Sequence, residues 1–228
     1  MHSTVQSDVF SFEVKAAGGR TTGRGYPAGG SGPSGATLVL AHGAGAPQTH
    51  PWMVSMARTI AERGIAVVTF NFLYTEARKR VPDKNDVLEA TWLAAIDAAR
   101  ARGGSDRLFI GGKSMGGRIA TQVAAHPEVA VDGLVLLGYP LHPPGKPAQL
   151  RTAHLPRVRA PMLFVQGSRD AFGTREEMDP VVSGLSRGTR LFVVEGGDHS
   201  LGVPKSKGIA LADTMARVAD EIARFTSR

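Results

Sequence analysis

Six short apolar runs recur along the chain at a nearly even interval, at residues 38–41, 65–70, 108–110, 134–137, 162–165 and 191–194. They are continuous rather than alternating and rich in Val, Leu, Ile and Phe. A strand covered on both faces needs this pattern, because successive side chains point to opposite sides and both sides are dry. Between most of the runs lie segments with helical spacing: 52–63, closed by Gly64 as a C-cap, then 86–102, 115–125, 174–185 and 208–225. The last carries Leu211, Met215, Val218, Ile222 and Phe225 on one face. This alternation predicts an α/β fold with a mostly parallel, doubly wound sheet of about six to eight strands and helices on both faces. An eight-fold barrel would need more units than the chain contains. Residues 9–14 are expected to add an antiparallel edge strand.

The 228 residues, 42% hydrophobic and 21% charged, can bury one sizeable core and do not have the composition of a disordered chain. One domain over 1–228 is expected, with the eight glycines and two prolines of 18–35 forming a flexible or hairpin connection. No apolar stretch nears the roughly 18 residues of a membrane span. The first eight residues lack the basic and apolar regions of a secretory signal. The absence of cysteine excludes disulfides, cysteine-ligated metal centres and a cysteine nucleophile, and a cytoplasmic location is expected. The net charge is +7, yet the basic residues are scattered and the densest run, Arg78-Lys79-Arg80, is flanked by Glu76 and Asp83. That distribution predicts a basic surface rather than a nucleic-acid site.

The most informative stretch ends the third run. Gly112-Lys113-Ser114-Met115-Gly116 fits G-x-S-x-G at a strand-to-helix junction, where a serine on a strained turn projects its Oγ above the sheet. The elbow glycines Gly112 and Gly116 are needed because side chains there would collide across so sharp a bend. Gly112-Lys113-Ser114 also imitates the end of a phosphate-binding loop, but position 107, where that loop needs glycine, is Arg. A serine needs a base to take its proton and a third group to orient the base. Asp170 follows the fifth run and His199 follows the sixth, which gives the order serine, acid, histidine at three strand ends. Other readings stand beside these. Ser114 can be an ordinary turn serine, and His199 a structural loop histidine. Asp170 can cap the helix near Thr174 or pair with Arg169 or Arg175, and Asp198 is a rival acid, though it adjoins His199. His42 is expected to pack behind the loop that follows the first run. His50, His126, His142 and His154 lack metal-ligand spacing, so no metal is expected.

With His42-Gly43-Ala44-Gly45 after the first core run, the elbow, Asp170 and His199, the chain resembles the small serine α/β hydrolases. It is most similar to compact dienelactone-hydrolase-like members without a large cap domain, over about residues 36–226. Two features depart from the pattern. Ser114 stands where dienelactone hydrolases proper use cysteine, so their substrate is not implied, and the loop reads His-Gly-Ala-Gly rather than His-Gly-Gly-Gly. The resemblance implies an oxyanion hole from the backbone N–H of Met115 and that of Ala44, with Gly45 as the alternative to Ala44. Where a cap would be inserted there is only 139–158, with five prolines and two histidines. A stiff lip is expected there, beside an open pocket bordered by Trp52, Tyr139, Leu141, His142 and Phe172.

The expected activity is hydrolysis of a small carboxylic ester through an acyl-enzyme, without cofactor, nucleic acid or membrane partner. Thioesterase, lactonase or amidase action on the same three residues is the alternative, as is a non-catalytic interaction protein on the hydrolase fold. The sequence leaves the oligomeric state open.

Overall fold

The computed structural model describes residues 6–30, 34–103 and 106–227. Eight strands make one sheet: β1 (Asp8–Val14), β2 (Gly19–Tyr26), β3 (Ala36–Ala41), β4 (Ala66–Phe70), β5 (Arg107–Lys113), β6 (Gly133–Leu137), β7 (Met162–Gly167) and β8 (Arg190–Val194). Their spatial order is β1-β2-β4-β3-β5-β6-β7-β8. β1 pairs with β2, and β2 with β4, antiparallel; every other pairing is parallel. Of the two expectations for the glycine-rich segment, residues 19–26 form the second arm of a hairpin. Gly23 lies beneath the Phe10 ring, where an added Cβ would stand 2.4 Å from the ring.

The helices are α1 (Pro51–Ala61), α2 (Leu73–Glu76), α3 (Asn85–Ala101), α4 (Met115–Ala124), α5 (Arg175–Ser183) and α6 (Leu211–Thr226). Four-residue α2 was not foreseen, because it is too short to display a period. Alternate strand residues feed two cores, which is why the apolar runs are unbroken. Leu38, Leu40, Val67, Val135 and Val165 pack with Met56 and Ile60 of α1 and with Val218 and Ile222 of α6. On the other face Val39, Val68, Leu134, Leu136 and Phe164 meet Trp92 of α3, Ile119 and Val123 of α4, and Met178 of α5. Leu211, expected on the apolar stripe of α6, is exposed in its first turn. No helix among the described residues is long and apolar enough to cross a membrane.

The parallel strands put their carboxyl ends on one edge, and the order reverses at β3, with β4 on one side and β5 on the other. A crevice forms at such a reversal because the loops leaving the two neighbours part there. His42 braces the loops beside the crevice. It is fully buried, with Nδ1 2.8 Å from the Gly43 carbonyl and Nε2 accepting the Phe72 N–H at 3.2 Å. It packs behind the loop after β3, as expected, and also ties that loop to the one after β4. Gln48 adds a second tie: its N–H donates to Asn71 Oδ1 and its side-chain amide to the Thr22 carbonyl, both at 2.9 Å.

Burial holds the His42 imidazole down to about 4, from 6.5. The unfolded chain therefore takes up a proton below about pH 6.5 that the native chain resists until about pH 4. Stability should be flat above that window and fall through it as pH drops. Urea unfolding is expected to give about 2 kcal/mol less stability from this group at pH 5 than at pH 7. His154, also lowered to about 4 by burial and by Arg118 and Arg157, acts in the same direction. Replacing His42 with Gln should remove its share of the slope; an unchanged slope would mean that His42 is charged in the native state.

Candidate active site

β5 ends at Lys113 and α4 begins at Met115, so the chain reverses through Ser114 alone. Its backbone sits at φ 50° and ψ −117°, a conformation that costs a non-glycine residue about 1–3 kcal/mol. The elbow glycines matter through close approach. A Cβ at Gly112 would stand 2.5 Å from the Ala41 carbonyl oxygen, and one at Gly116 would stand 2.5 Å from that of His42. Backbone cannot yield at those distances, so any side chain there would push β5 or α4 off β3.

The structure brings Ser114, Asp170 and His199 together. His199 Nε2 lies 2.8 Å from Ser114 Oγ, and Nδ1 lies 2.8 Å from Asp170 Oδ2. Asp170 is fully buried. Its carboxylate also accepts the Phe172 N–H on Oδ1 at 2.9 Å and the Gln166 side-chain amide on Oδ2 at 2.8 Å. Three donors offset the cost of burying that charge. The rival Asp198 faces its own loop, where Oδ1 accepts the N–H groups of Ser200 and Gly202 at 2.8 and 2.9 Å. It shapes the turn that carries His199 rather than touching the ring. Thr174 caps α5 in Asp170's stead, through a reciprocal bond pair with Glu177.

Gln166, the penultimate residue of β7, went unnoticed in the sequence. It is fully buried, and besides Asp170 its amide donates to the carbonyls of Gly173 and Tyr139 while its oxygen accepts the Tyr139 N–H. It thus locks the acid to the start of the lip. A glutamine directly after the apolar run 162–165, still inside the strand, is the signal that could have revealed it, since a buried amide requires partners.

A cleft of about 660 Å³ opens over Ser114. Of the five residues expected to border it, only Phe172 does so, stacked on the His199 ring with centroids 4.2 Å apart. The other four are buried behind its wall. Trp52 turns its indole N–H to the Ser200 carbonyl at 2.9 Å, bracing the histidine loop. Tyr139 sends its hydroxyl to the Arg151 carbonyl at 2.7 Å, and burial pushes that phenol up to about 12. Leu141 joins the core, and His142 faces Glu177 at 3.3 Å. These side chains were misplaced because sequence position fixes the segment and not the direction in which each residue points. Segment 139–158 does reach the cleft through Pro140 and Arg151. The rest of the wall includes His50, Met53, Lys113 and Arg118. Arg118 and Lys113 flank Ser114 at four residues and one, so their spacing was the signal for them. Ala44 lines the cleft and Gly45 does not; Gly45 supplies the positive φ of 78° that turns the loop.

Residues 34–227 match a family model described as alpha/beta hydrolase domain. Among solved structures, the chain is similar to the esterase domain of a Rhodothermus marinus protein, at 17% identity and a TM-score of 0.72 over 98% of each chain. It is also similar to dienelactone hydrolase from Anabaena variabilis, at 19% identity and 0.72 over 98% of this chain and 97% of that one. A serine hydrolase without lid from Xanthomonas campestris aligns at 19% identity and 0.73 over 95% of each chain. At such identities the solved structures speak for the fold, and the family model spans most of the sequence. The chain belongs to the α/β hydrolase domain family.

Proposed function

We propose that the protein is a serine hydrolase that cleaves carboxylic esters through an acyl-enzyme. The observation that carries this reading is the relay from Ser114 Oγ to His199 to buried Asp170, with both links at 2.8 Å, at the floor of an open cleft. Ser114 attacks the ester carbonyl while His199 Nε2 takes the hydroxyl proton. The tetrahedral oxyanion rests on the N–H of Met115 and that of Ala44. Met115 is the first residue of α4, where an N–H has no helical acceptor and the helix dipole favours negative charge. Ala44 is preferred over Gly45 because it faces the cleft. The imidazolium then protonates the leaving alkoxide, a water repeats the sequence against the acyl-enzyme, and Ser114 is restored. Asp170 keeps the Nδ1–H tautomer and stabilises the imidazolium, and Gln166 and the Phe172 N–H hold the carboxylate still. The steps use side chains, backbone amides and water alone.

A fluorophosphonate should add once per chain to the wild-type protein and not to Ser114→Ala, as read by intact mass. The same variant is expected to lose about 10⁴-fold or more in kcat toward an activated aryl ester, with its Tm nearly unchanged. Wild-type turnover in Ser114→Ala would overturn the assignment.

Asp170→Asn should behave differently. Its amide presents N–H groups to a site already filled by three donors, so both kcat (by about 10³–10⁴-fold) and thermal stability should fall. Retention of both would place the orienting acid elsewhere.

A further inference from the structure

We propose that the cleft selects esters carrying an anionic group within a few bonds of the scissile carbonyl, and that Arg118 and Arg151 receive that group. This rests on the hydrolase reading above and names the substrate class for the same site. Lys113, Arg118 and Arg151 all line the cleft, and no Asp or Glu lines it. Every polar partner of the three is neutral. Lys113 Nζ donates to the His199 carbonyl at 3.4 Å and lies 5.4 Å from the Trp52 ring centroid. Arg118 donates to the Gln122 side-chain oxygen at 3.2 Å, and Arg151 to the Pro140 carbonyl at 3.4 Å. Among the described residues, none of them makes an ion pair with a carboxylate.

All three are half-buried. Grouping cations there without a directly paired carboxylate is unfavourable: burial first, then the nearby Arg151 charge, holds Arg118 below its ordinary range against the opposite pull of Tyr139 and Glu89, and burial holds Lys113 down against the more distant Asp170 and Asp198. A bound anion would offset both burial and repulsion by direct charge attraction. The placement also fits the reaction. Arg118 stands four residues after Ser114, so it lies on the same side of α4, one turn along, and its N–H donates to the Ser114 carbonyl at 3.0 Å. Arg151 comes from the lip. Guanidinium forks match the planar oxygens of a carboxylate and the oxygens of a phosphate, which a lone ammonium does not. An ester bound with its carbonyl at Ser114 and a chain of a few atoms toward the lip would bring a terminal anion to the two arginines.

The test compares mono-4-nitrophenyl adipate with 4-nitrophenyl hexanoate, which share chain length and leaving group and differ in the terminal carboxylate. At low ionic strength the adipate should exceed the hexanoate in kcat/KM by at least about tenfold, and the ratio should shrink in high salt. Arg118→Gln with Arg151→Gln should bring the ratio close to unity. Lys79→Gln with Arg80→Gln, a matched two-charge change at exposed positions, should keep it. A wild-type ratio at or below unity, or one untouched by the double variant, overturns the proposal. Calorimetric titration of both esters into Ser114→Ala reads binding without turnover: tighter binding of the adipate supports the site, and equal binding overturns it. If the wild-type protein takes no fluorophosphonate adduct yet the adipate binds tighter, the hydrolase reading fails and the anion site stands.

Discussion

Ser114 is at once the last residue of a strand ladder and the first of a helix, and the site depends on that double duty. Its N–H still donates to the Leu137 carbonyl on β6 at 3.0 Å, while its carbonyl already accepts the Arg118 N–H at 3.0 Å. Satisfying both bonds across one residue forces φ positive. The strain persists because β5 is fixed between β3 and β6 and α4 is packed into a core, so relaxing it would cost more than the strain itself. Gly112 and Gly116 make this possible by letting β5 and α4 press directly against the backbone of Ala41 and His42. The same compression brings Ala44 and the start of α4 to the cleft beside the serine oxygen.

The remaining two arms are held by polar contacts, with Phe172 stacked on the His199 ring. Asp170 is positioned by Gln166 and the Phe172 amide, and Gln166 is fixed in turn by both backbone groups of Tyr139. His199 is placed from outside its own loop: Asp198 folds the turn, and Trp52 of α1 grips the Ser200 carbonyl. Gly138 and Gly167 admit that loop, since a Cβ at either would stand within 2.7 Å of a loop carbonyl oxygen. A geometry fixed by such bonds is preorganised, so little reorganisation remains when charge develops in the transition state.

Charge is distributed unevenly about this centre. The one carboxylate of the relay is wholly buried with its three donors, whereas the open side of the cleft carries cations and no acid. Most of the chain's basic residues lie elsewhere, but Lys113, Arg118 and Arg151 gather at this one functionally placed spot.

How much of this was legible follows from the range of each interaction. The parallel sheet could be read because strands covered on both faces must be apolar throughout, a property of each segment by itself. Ser114, Asp170 and His199 could be read because each follows a strand on one edge of that sheet, so chain order and strand ends sufficed to bring them near one another. Gly112 and Gly116 announced a bend that tolerates no side chain. What the sequence did not determine was direction. Trp52, at the start of α1, and Tyr139, Leu141 and His142 of the lip lie in the correct segments but point away from the cleft, whereas Gln166 and Arg118, whose positions next to the strand run and the elbow were their only signals, and Arg151, which had none, point toward the site. Whether a loop side chain faces core or cleft depends on backbone torsions set by contacts tens of residues away, such as the Trp52 bond to Ser200 across 148 positions. Such contacts come into being only when the sheet closes its loops over the crevice, so only the tertiary structure decided them.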